Sequence, residues 1–253
     1  MQVGVQETQL EIRSLEHRFP NGTVALSGID LSMAAGEFVS LVGPSGCGKS
    51  TLLRVVAGLL EPSSGTVRVG GGDPSVRRGF VFQSPTLLPW RTVEGNLVLP
   101  MELEGVPRAQ ARERAREWLA RVGLSDFARA WPAELSGGMR MRASIARALA
   151  SRPGILLLDE PFAALDDIVR SRLQEELLEL RAKEGFLTLF VTHNVSEAVF
   201  LSDRVVVLSP RPGRIVGSIP MPFGASRDAD LRGDPEFAHQ VRSVSHLLRE
   251  ASA

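Results

Sequence analysis

One stretch limits what this chain can fold into more than any other: residues 36 to 58, G-E-F-V-S-L-V-G-P-S-G-C-G-K-S-T-L-L-R-V-V-A-G. Phe38 to Val42 is a short apolar run of strand formers, and Leu52 to Ala57 carries apolar residues at helical spacing, so a glycine-rich segment is strung between strand and helix. Such a turn is a phosphate cradle. Gly43, Gly46 and Gly48 have no Cβ to block a positive φ or a close approach, so successive N–H groups can turn inward around a di- or triphosphate. Pro44, Ser45 and Cys47 complete the loop. Lys49 supplies a mobile cation for the outer phosphates and Ser50 a hydroxyl that can hold Mg²⁺, while Thr51 comes next as the helix opens with its positive dipole end toward the same anion. The rival reading, a glycine-rich turn with a solvated lysine, leaves the complete spacing and both flanks unexplained.

Composition narrows the setting of this cradle. With 253 residues, 43% of them hydrophobic, the chain can bury a sizeable core as one large domain or as a domain with an insertion. Lys plus Arg (29) balance Asp plus Glu (29), which removes the electrostatic case for duplex nucleic acid or an acidic membrane surface. A single cysteine, Cys47, excludes an internal disulfide framework, fits a reducing compartment and reads as a small loop filler. The start, M-Q-V-G-V-Q-E-T, shows no basic segment followed by an apolar core, and no run approaches the roughly 20 apolar residues of a membrane span. A cytosolic chain is expected.

Ahead of the cradle, Leu10 to Arg18 and Leu26 to Met33 alternate apolar and polar residues around Asn21-Gly22, which predicts two antiparallel strands joined by a turn, on the cradle's own sheet. Beyond the first helix come a turn at Pro62-Ser63-Ser64-Gly65, a strand from Thr66 to Val69, a turn over 70–74 and a strand from Gly79 to Gln83. From Ser84 to about Leu149 no strand signal appears. Arg108 to Val122 reads as a helix, with Pro107 at its start, Gly123 past its end, and Ala111, Ala115, Trp118, Leu119 and Val122 on one face. Its arginines alternate with Glu113 and Glu117, so the opposite face reads as solvated. Ser136 to Ala150 is another helix. Strands resume at 155–158, 187–192 and 204–208, and a helix from Asp166 to Lys183, striped by Leu173, Leu177 and Leu180 and ended by Gly185, lies between the first two. Strand, helix, strand implies a parallel sheet. Residues 1–83 and 151–220 are thus read as a discontinuous core, 84–150 as a helical insertion, and 221–253 as a tail with a short helix over Phe237 to Leu248.

The run I-L-L-L-D-E-P from Ile155 to Pro161 points to chemistry beyond phosphate binding. A buried strand delivers Asp159 and Glu160 at its carboxyl end, where ligands of parallel sheets collect; the first carboxylate can hold Mg²⁺ and the second can take a proton from an attacking water. The plainer alternative is a pair of acids capping the next turn. In L-S-G-G-M-R, Ser136, Gly137 and Gly138 open a helix with a hydroxyl, free N–H groups and a dipole end, which is either a second anion site or simply an N-cap.

Taken in order, Gly43 to Ser50, Gln83, Leu135-Ser136-Gly137-Gly138, Ile155 to Glu160, Ala164-Leu165-Asp166 and His193 resemble the ATPase subunit of an ATP-binding cassette transporter, over about residues 8 to 220. The resemblance implies an α/β fold, a RecA-like P-loop core with an antiparallel β edge and an inserted helical subdomain, working as a head-to-tail homodimer. ATP would lie between one chain's P-loop and the other's Ser136, Gly137 and Gly138. By the same resemblance Gln83 senses Mg²⁺ and the attacking water, Asp166 belongs to the loop that crosses the dimer, His193 contacts the γ-phosphate, and Phe19 holds the place of the aromatic that stacks on adenine. Met139 and Asn194 depart from the family's usual residues. Neither touches a catalytic group, and Asn194 with Glu197 is expected to form a capping box at the next helix.

Three segments, L-L-P-W-R-T-V at 87–93, L-S-G-G-M-R and R-V-V-V-L-S-P-R-P-G-R-I at 204–215, are similar to the ATPase subunits of nitrate, sulfonate and taurine importers. That implies separate transmembrane permease subunits contacted near Leu87, Leu88, Pro89 and Trp90, a solute-binding protein acting indirectly, and a peripheral place on the cytoplasmic side of the inner membrane. Trp90 is expected to stand exposed in the isolated chain. An exporter or lipid-transport ATPase is a second reading; a cassette acting on nucleic acid is a third, which the absence of a long coiled-coil insertion, a second cassette or a basic surface disfavours.

Overall fold

The computed structural model describes residues 8–224 and 227–251; the N-terminal stretch read above as lacking an export signal lies, apart from Thr8, outside them. Strands β1 (Thr8–Arg18) and β2 (Val24–Ala34) pair antiparallel across a turn in which Gly22 sits at φ 84° and donates to Phe19 O at 2.9 Å. β3 (Phe38–Val42) leads through the glycine loop into α1 (Lys49–Val56), and β4 (Ser64–Val69) then returns to pair antiparallel with β1. After β5 (Arg78–Val81) come α2 (Val93–Leu103), α3 (Arg108–Arg121) and α4 (Gly137–Ala150), and no described residue from 84 to 150 lies in a strand. The chain continues through β6 (Ile155–Asp159), α5 (Asp167–Glu184), β7 (Leu187–Val191), α6 (Val195–Leu201), β8 (Arg204–Leu208), β9 (Ile215–Pro220) and α7 (Pro235–Glu250).

The large sheet has the order β5-β6-β7-β3-β8-β9, parallel except for β9, which runs antiparallel to β8. β1 and β2 do not join it. They form a separate sheet in the order β2-β1-β4, because β7 and β8 already occupy both edges of β3. Alternation along the central strands divides the core in two. Val39, Leu41, Ile155, Leu157, Leu189 and Val206 pack toward α1 and the antiparallel sheet. On the opposite face Phe38, Leu156, Leu158, Phe190, Val205 and Val207 pack in the core built with the other helices.

Helix ends obey local chemistry. Asp166 Oδ1 accepts from Val169 N–H at 3.0 Å to start α5, and Gly185 at φ 69° closes it. α2 carries no sequence stripe: Pro100 lies inside it, yet Val93, Leu97, Val98 and Met101 are all buried. α7 extends the expected helix at both ends, starts on the Asp234 cap, and buries Phe237 and Val244 beside α6, β8 and β9. No helix among the described residues is long and apolar enough to cross a membrane.

Candidate active site

The glycine loop has the predicted conformation. Gly46 (φ 74°) and Gly48 (φ 111°) both sit in the left-handed region, and a Cβ on Gly48 would lie 2.8 Å from Ala25 O. Cys47 is buried, as a filler should be. Lys49 folds back over the loop, its Nζ donating to Gly43 O at 2.8 Å and to Pro44 O at 3.0 Å. Above it opens a cleft of about 320 Å³ whose walls include Phe19, Ser45, Lys49, Ser50, Thr51 and Glu160.

At the foot of the loop Ser50 Oγ donates to Asp159 Oδ1 at 2.7 Å. Burial pushes the Asp159 carboxyl above its ordinary range, opposed by the Ser50 hydrogen bond and the charge of Arg54; Glu160 raises it further and Lys49 lowers it. A bound cation would relieve that cost. A hydroxyl and a carboxylate, with no nitrogen or sulfur donor, suit Mg²⁺, which keeps several waters and shares oxygens with phosphates. Among the described residues no group of three or more His, Cys, Asp or Glu gathers to hold a metal by itself.

Glu160 leaves β6 with φ 46°, a left-handed conformation that costs a non-glycine residue about 1–2 kcal/mol. Its N–H donates to Val191 O at 2.9 Å, which holds the turn. The result is that Glu160 Oε2 lies 2.9 Å from Nδ1 of His193, on the loop after the neighbouring strand β7, a contact that needs the proton on Nδ1. A half-buried carboxylate and an exposed imidazole therefore meet at the mouth of a phosphate loop. A carboxylate so placed is able to accept a proton from a water at that mouth.

The helix after His193 begins differently from expectation. Asn194 Oδ1 accepts from Glu197 N–H at 3.2 Å, but the reciprocal half of the capping box is missing, because Asn194 N–H donates instead to Thr192 Oγ1 at 3.0 Å. The Glu197 carboxylate accepts from the Thr192 hydroxyl at 2.7 Å.

A sequence profile described as ABC transporter matches residues 26–163, more than half of the chain. This chain belongs to the ABC transporter family. As an ABC transporter ATPase it is 47% identical over 249 residues to the aliphatic sulfonates import ATP-binding protein SsuB 1 of Pseudomonas syringae pv. syringae, covering 97% of this chain and 98% of that one. It is 46% identical over 222 residues to the taurine import ATP-binding protein TauB of Chromobacterium violaceum, covering 84% of this chain and 85% of the relative. Among solved structures it is similar to a dimeric ATP-binding cassette in a post-hydrolysis state bound to ADP and Pi, with a TM-score of 0.74, 30% identity, and coverage of 85% of this chain and all of that one.

Within this ABC cassette the remaining expected residues are spread over several loops. Phe19 lies in the turn after β1, half-buried, its ring edge-on to His17 at 4.8 Å, and lines the cleft. Gln83 does not end a strand: β5 stops at Val81, and Gln83 is exposed two residues later and is not among the residues that line the cleft. Ser136 caps α4 by accepting from Met139 N–H at 3.2 Å, and a Cβ on Gly138 would come 2.7 Å from Val169. So Ser136, Gly137, Gly138 and Asp166 stand beside the start of α5, outside the chain's own cleft. The sequence reading missed Arg211. Its Nε and Nη2 donate to Gly46 O at 3.1 and 3.0 Å, and it forms part of the cleft wall. In the sequence it appears merely as one residue of the 204–215 segment; in the structure a Cβ on Gly213 would fall 2.2 Å from Cys47 O, so the loop following β8 presses against the phosphate loop.

Proposed function

We propose that this ATPase drives an importer of small anions of the taurine, sulfonate and nitrate class, as a head-to-tail pair whose closure on ATP is passed to separate membrane-spanning subunits. The observation that carries the reading is the Glu160–His193 contact at the mouth of the Lys49 cleft. Lys49 leaves its carbonyl partners for the outer phosphates, Glu160 takes the proton of the attacking water, and His193 stabilises charge on the transferred phosphoryl group. Ser50 and Asp159, joined by Gln83 from the segment after β5, would hold Mg²⁺, which neutralises phosphate charge when bound. Gly43 to Thr51 cradle the phosphates and Phe19 stacks on the base. Ser136, Gly137, Gly138 and Asp166, unused by their own chain's cleft, serve the partner's nucleotide.

The names of two relatives, import proteins for taurine and for aliphatic sulfonates, support the solute class. The division into a core (1–83 and 151–220), a helical subdomain (84–150) and a tail (221–253) goes with this reading, as does a peripheral place on the cytoplasmic side of the membrane. The permease would dock near Leu87 to Trp90, and a solute-binding protein would act through it. Nucleic acid has no part.

Glu160→Gln tests the chemistry. It preserves the hydrogen-bonding shape without a proton acceptor, so ATP should bind with little change while phosphate release drops by at least about a hundredfold. Lys49→Ala should instead lose binding itself. Hydrolysis by Glu160→Gln at the parent rate would remove the residue from this role. Uptake of taurine, an alkanesulfonate or nitrate into vesicles carrying the reconstituted transporter decides the solute.

A further inference from the structure

The loops bearing Glu160 and His193 are joined a second time, behind the site. Arg170, in the first turn of α5, folds back on the segment after Glu160: Nη2 donates to Leu165 O at 2.7 Å and Nε to Phe162 O at 3.4 Å, while Nη1 donates to the Asp167 carboxylate at 2.9 Å. The same Nε stands 3.5 Å from Glu197 Oε1. Glu197 is only 8% exposed, and its other oxygen takes the Thr192 hydroxyl. Thr192, also buried, directly precedes His193, and its Oγ1 also accepts from Asn194 N–H. A polar chain thus runs from the carbonyls of residues 162 and 165, through Arg170, Glu197 and Thr192, to the backbone on both sides of His193. The His193–Glu160 contact closes it into a ring.

Nothing in the hydrolysis scheme uses Glu197, and Asn194 already caps α6. An ion pair with one partner buried and the other 24% exposed is a costly way to fill that space, since apolar residues of similar volume usually do as well or better. What the pair adds is direction. Arg170 grips two carbonyls through a rigid fork, and Glu197 has one oxygen for Arg170 and one for Thr192.

We propose that Arg170 and Glu197 are positioning residues whose ion pair ties the Phe162–Asp166 loop to the His193 loop, so that movement of the first resets the Glu160–His193 geometry. The inference rests on the reading of Glu160 and His193 given above. Because Asp166 is there assigned to the loop that meets the partner chain, the pair would make the catalytic geometry depend on dimer closure.

The test uses the full chain with Glu197→Gln, which retains an oxygen for Thr192 but no charge for Arg170, Arg170→Lys, which retains charge but not the fork, and the double variant. Each single variant should lower kcat by about ten- to a hundredfold, the scale of a sub-ångström to ångström misplacement, with KM and equilibrium ATP binding within about twofold. The double variant should be no worse than the poorer single one, because both break one link. Independently of turnover, the His193 ring ¹⁵N signal, assigned with His193→Gln, should move in the nucleotide-free chain toward its position in Glu160→Ala. Parent-like kcat with an unmoved His193 signal overturns the proposal. So does a fall in melting temperature with kcat intact, or additive losses accompanied by a rising KM. If Arg170→Lys fails to fold, Glu197→Gln alone decides by the same two readouts. Glu160→Gln measured in parallel separates the cases: its full activity would sink the base assignment, while the His193 signal still reports on the ion pair.

Discussion

Asp159 shows how a single residue can be poor for the fold and good for the site. The residue is 7% exposed and among the described residues its carboxylate takes a hydrogen bond from the Ser50 hydroxyl alone, so burial makes the proton harder to lose than in the unfolded chain. A carboxyl with a raised folded-state pKa favours folding as pH falls through that pKa, and the gain levels off below the unfolded value near 4. Asp159→Asn has no such titration and no charge to desolvate. The nucleotide-free Asn variant should therefore melt above the parent at pH 7, and the difference should shrink as pH is lowered. Adding MgATP should stabilise the parent far more than the variant. Melting curves with and without MgATP check both halves, and a variant less stable than the parent at pH 7 would count against a burial cost at this position. Glu160, beside it, shows a different expense, in backbone conformation, and its N–H bond to Val191 O holds that conformation.

At the scale of elements, legibility tracked punctuation. α5 could be read to within a residue or two because Asp166 and Gly185 mark its ends and its leucines keep helical spacing. α2 could not, because Gly95 and Pro100 argue against a helix and apolar residues fall all around it; tertiary burial overrides propensity there. β9 escaped because six residues containing Gly217 and ending in Pro220 carry little strand signal before β8 exists to pair with them. Membership of the smaller sheet was not local information either: it comes from β7 and β8 taking both edges of β3. In the site, the residues within one motif were legible, whereas the Arg211–Gly46 contact joins positions 165 apart in sequence, and no short pattern encodes it. The C-terminal helix is the element most open to test. Phe237 is 4% exposed and packs in the same core as Phe200 and Val205. Phe237→Ala should cost about 3–5 kcal/mol, which for a chain of this size is a melting-point drop of roughly 6–20 °C, in one cooperative transition. An early separate transition, with the main one unmoved, would mean that α7 is an independent appendage.

Two features of the whole molecule face outward and bear on its assembly. The first is the set of Ser136, Gly137 and Gly138, outside their own cleft; a Lys49→Ala chain mixed with a Ser136→Arg chain should regain hydrolysis, since both lesions then share one composite site and leave the other intact. Continued inactivity with heterodimers demonstrably present would count against action in trans. The second is a groove of about 470 Å³ between Trp90 and Trp131, floored by Val98 and edged by Arg91, Glu102 and Arg108. Trp90 is 70% exposed and Trp131 48%, both large aromatics outside the helices and strands. Leu87, in contrast, packs on the core and Leu88 is pinned through its N–H to Asn96 Oδ1 at 2.7 Å, so the loop is anchored just before Trp90. An exposed aromatic on an anchored loop, beside a groove lined by charged residues, is a surface able to receive an amphipathic helix from another protein. The cost of Trp90→Ala to the isolated chain should be within about 0.5 kcal/mol, because little of the ring is buried. Basal ATP hydrolysis should stay near the parent value, whereas solute uptake in vesicles containing the permease should fall at least about tenfold, as loss of a central anchor of about 2 kcal/mol implies. A large drop in melting temperature would return Trp90 to the core, and unchanged uptake would move the docking surface elsewhere.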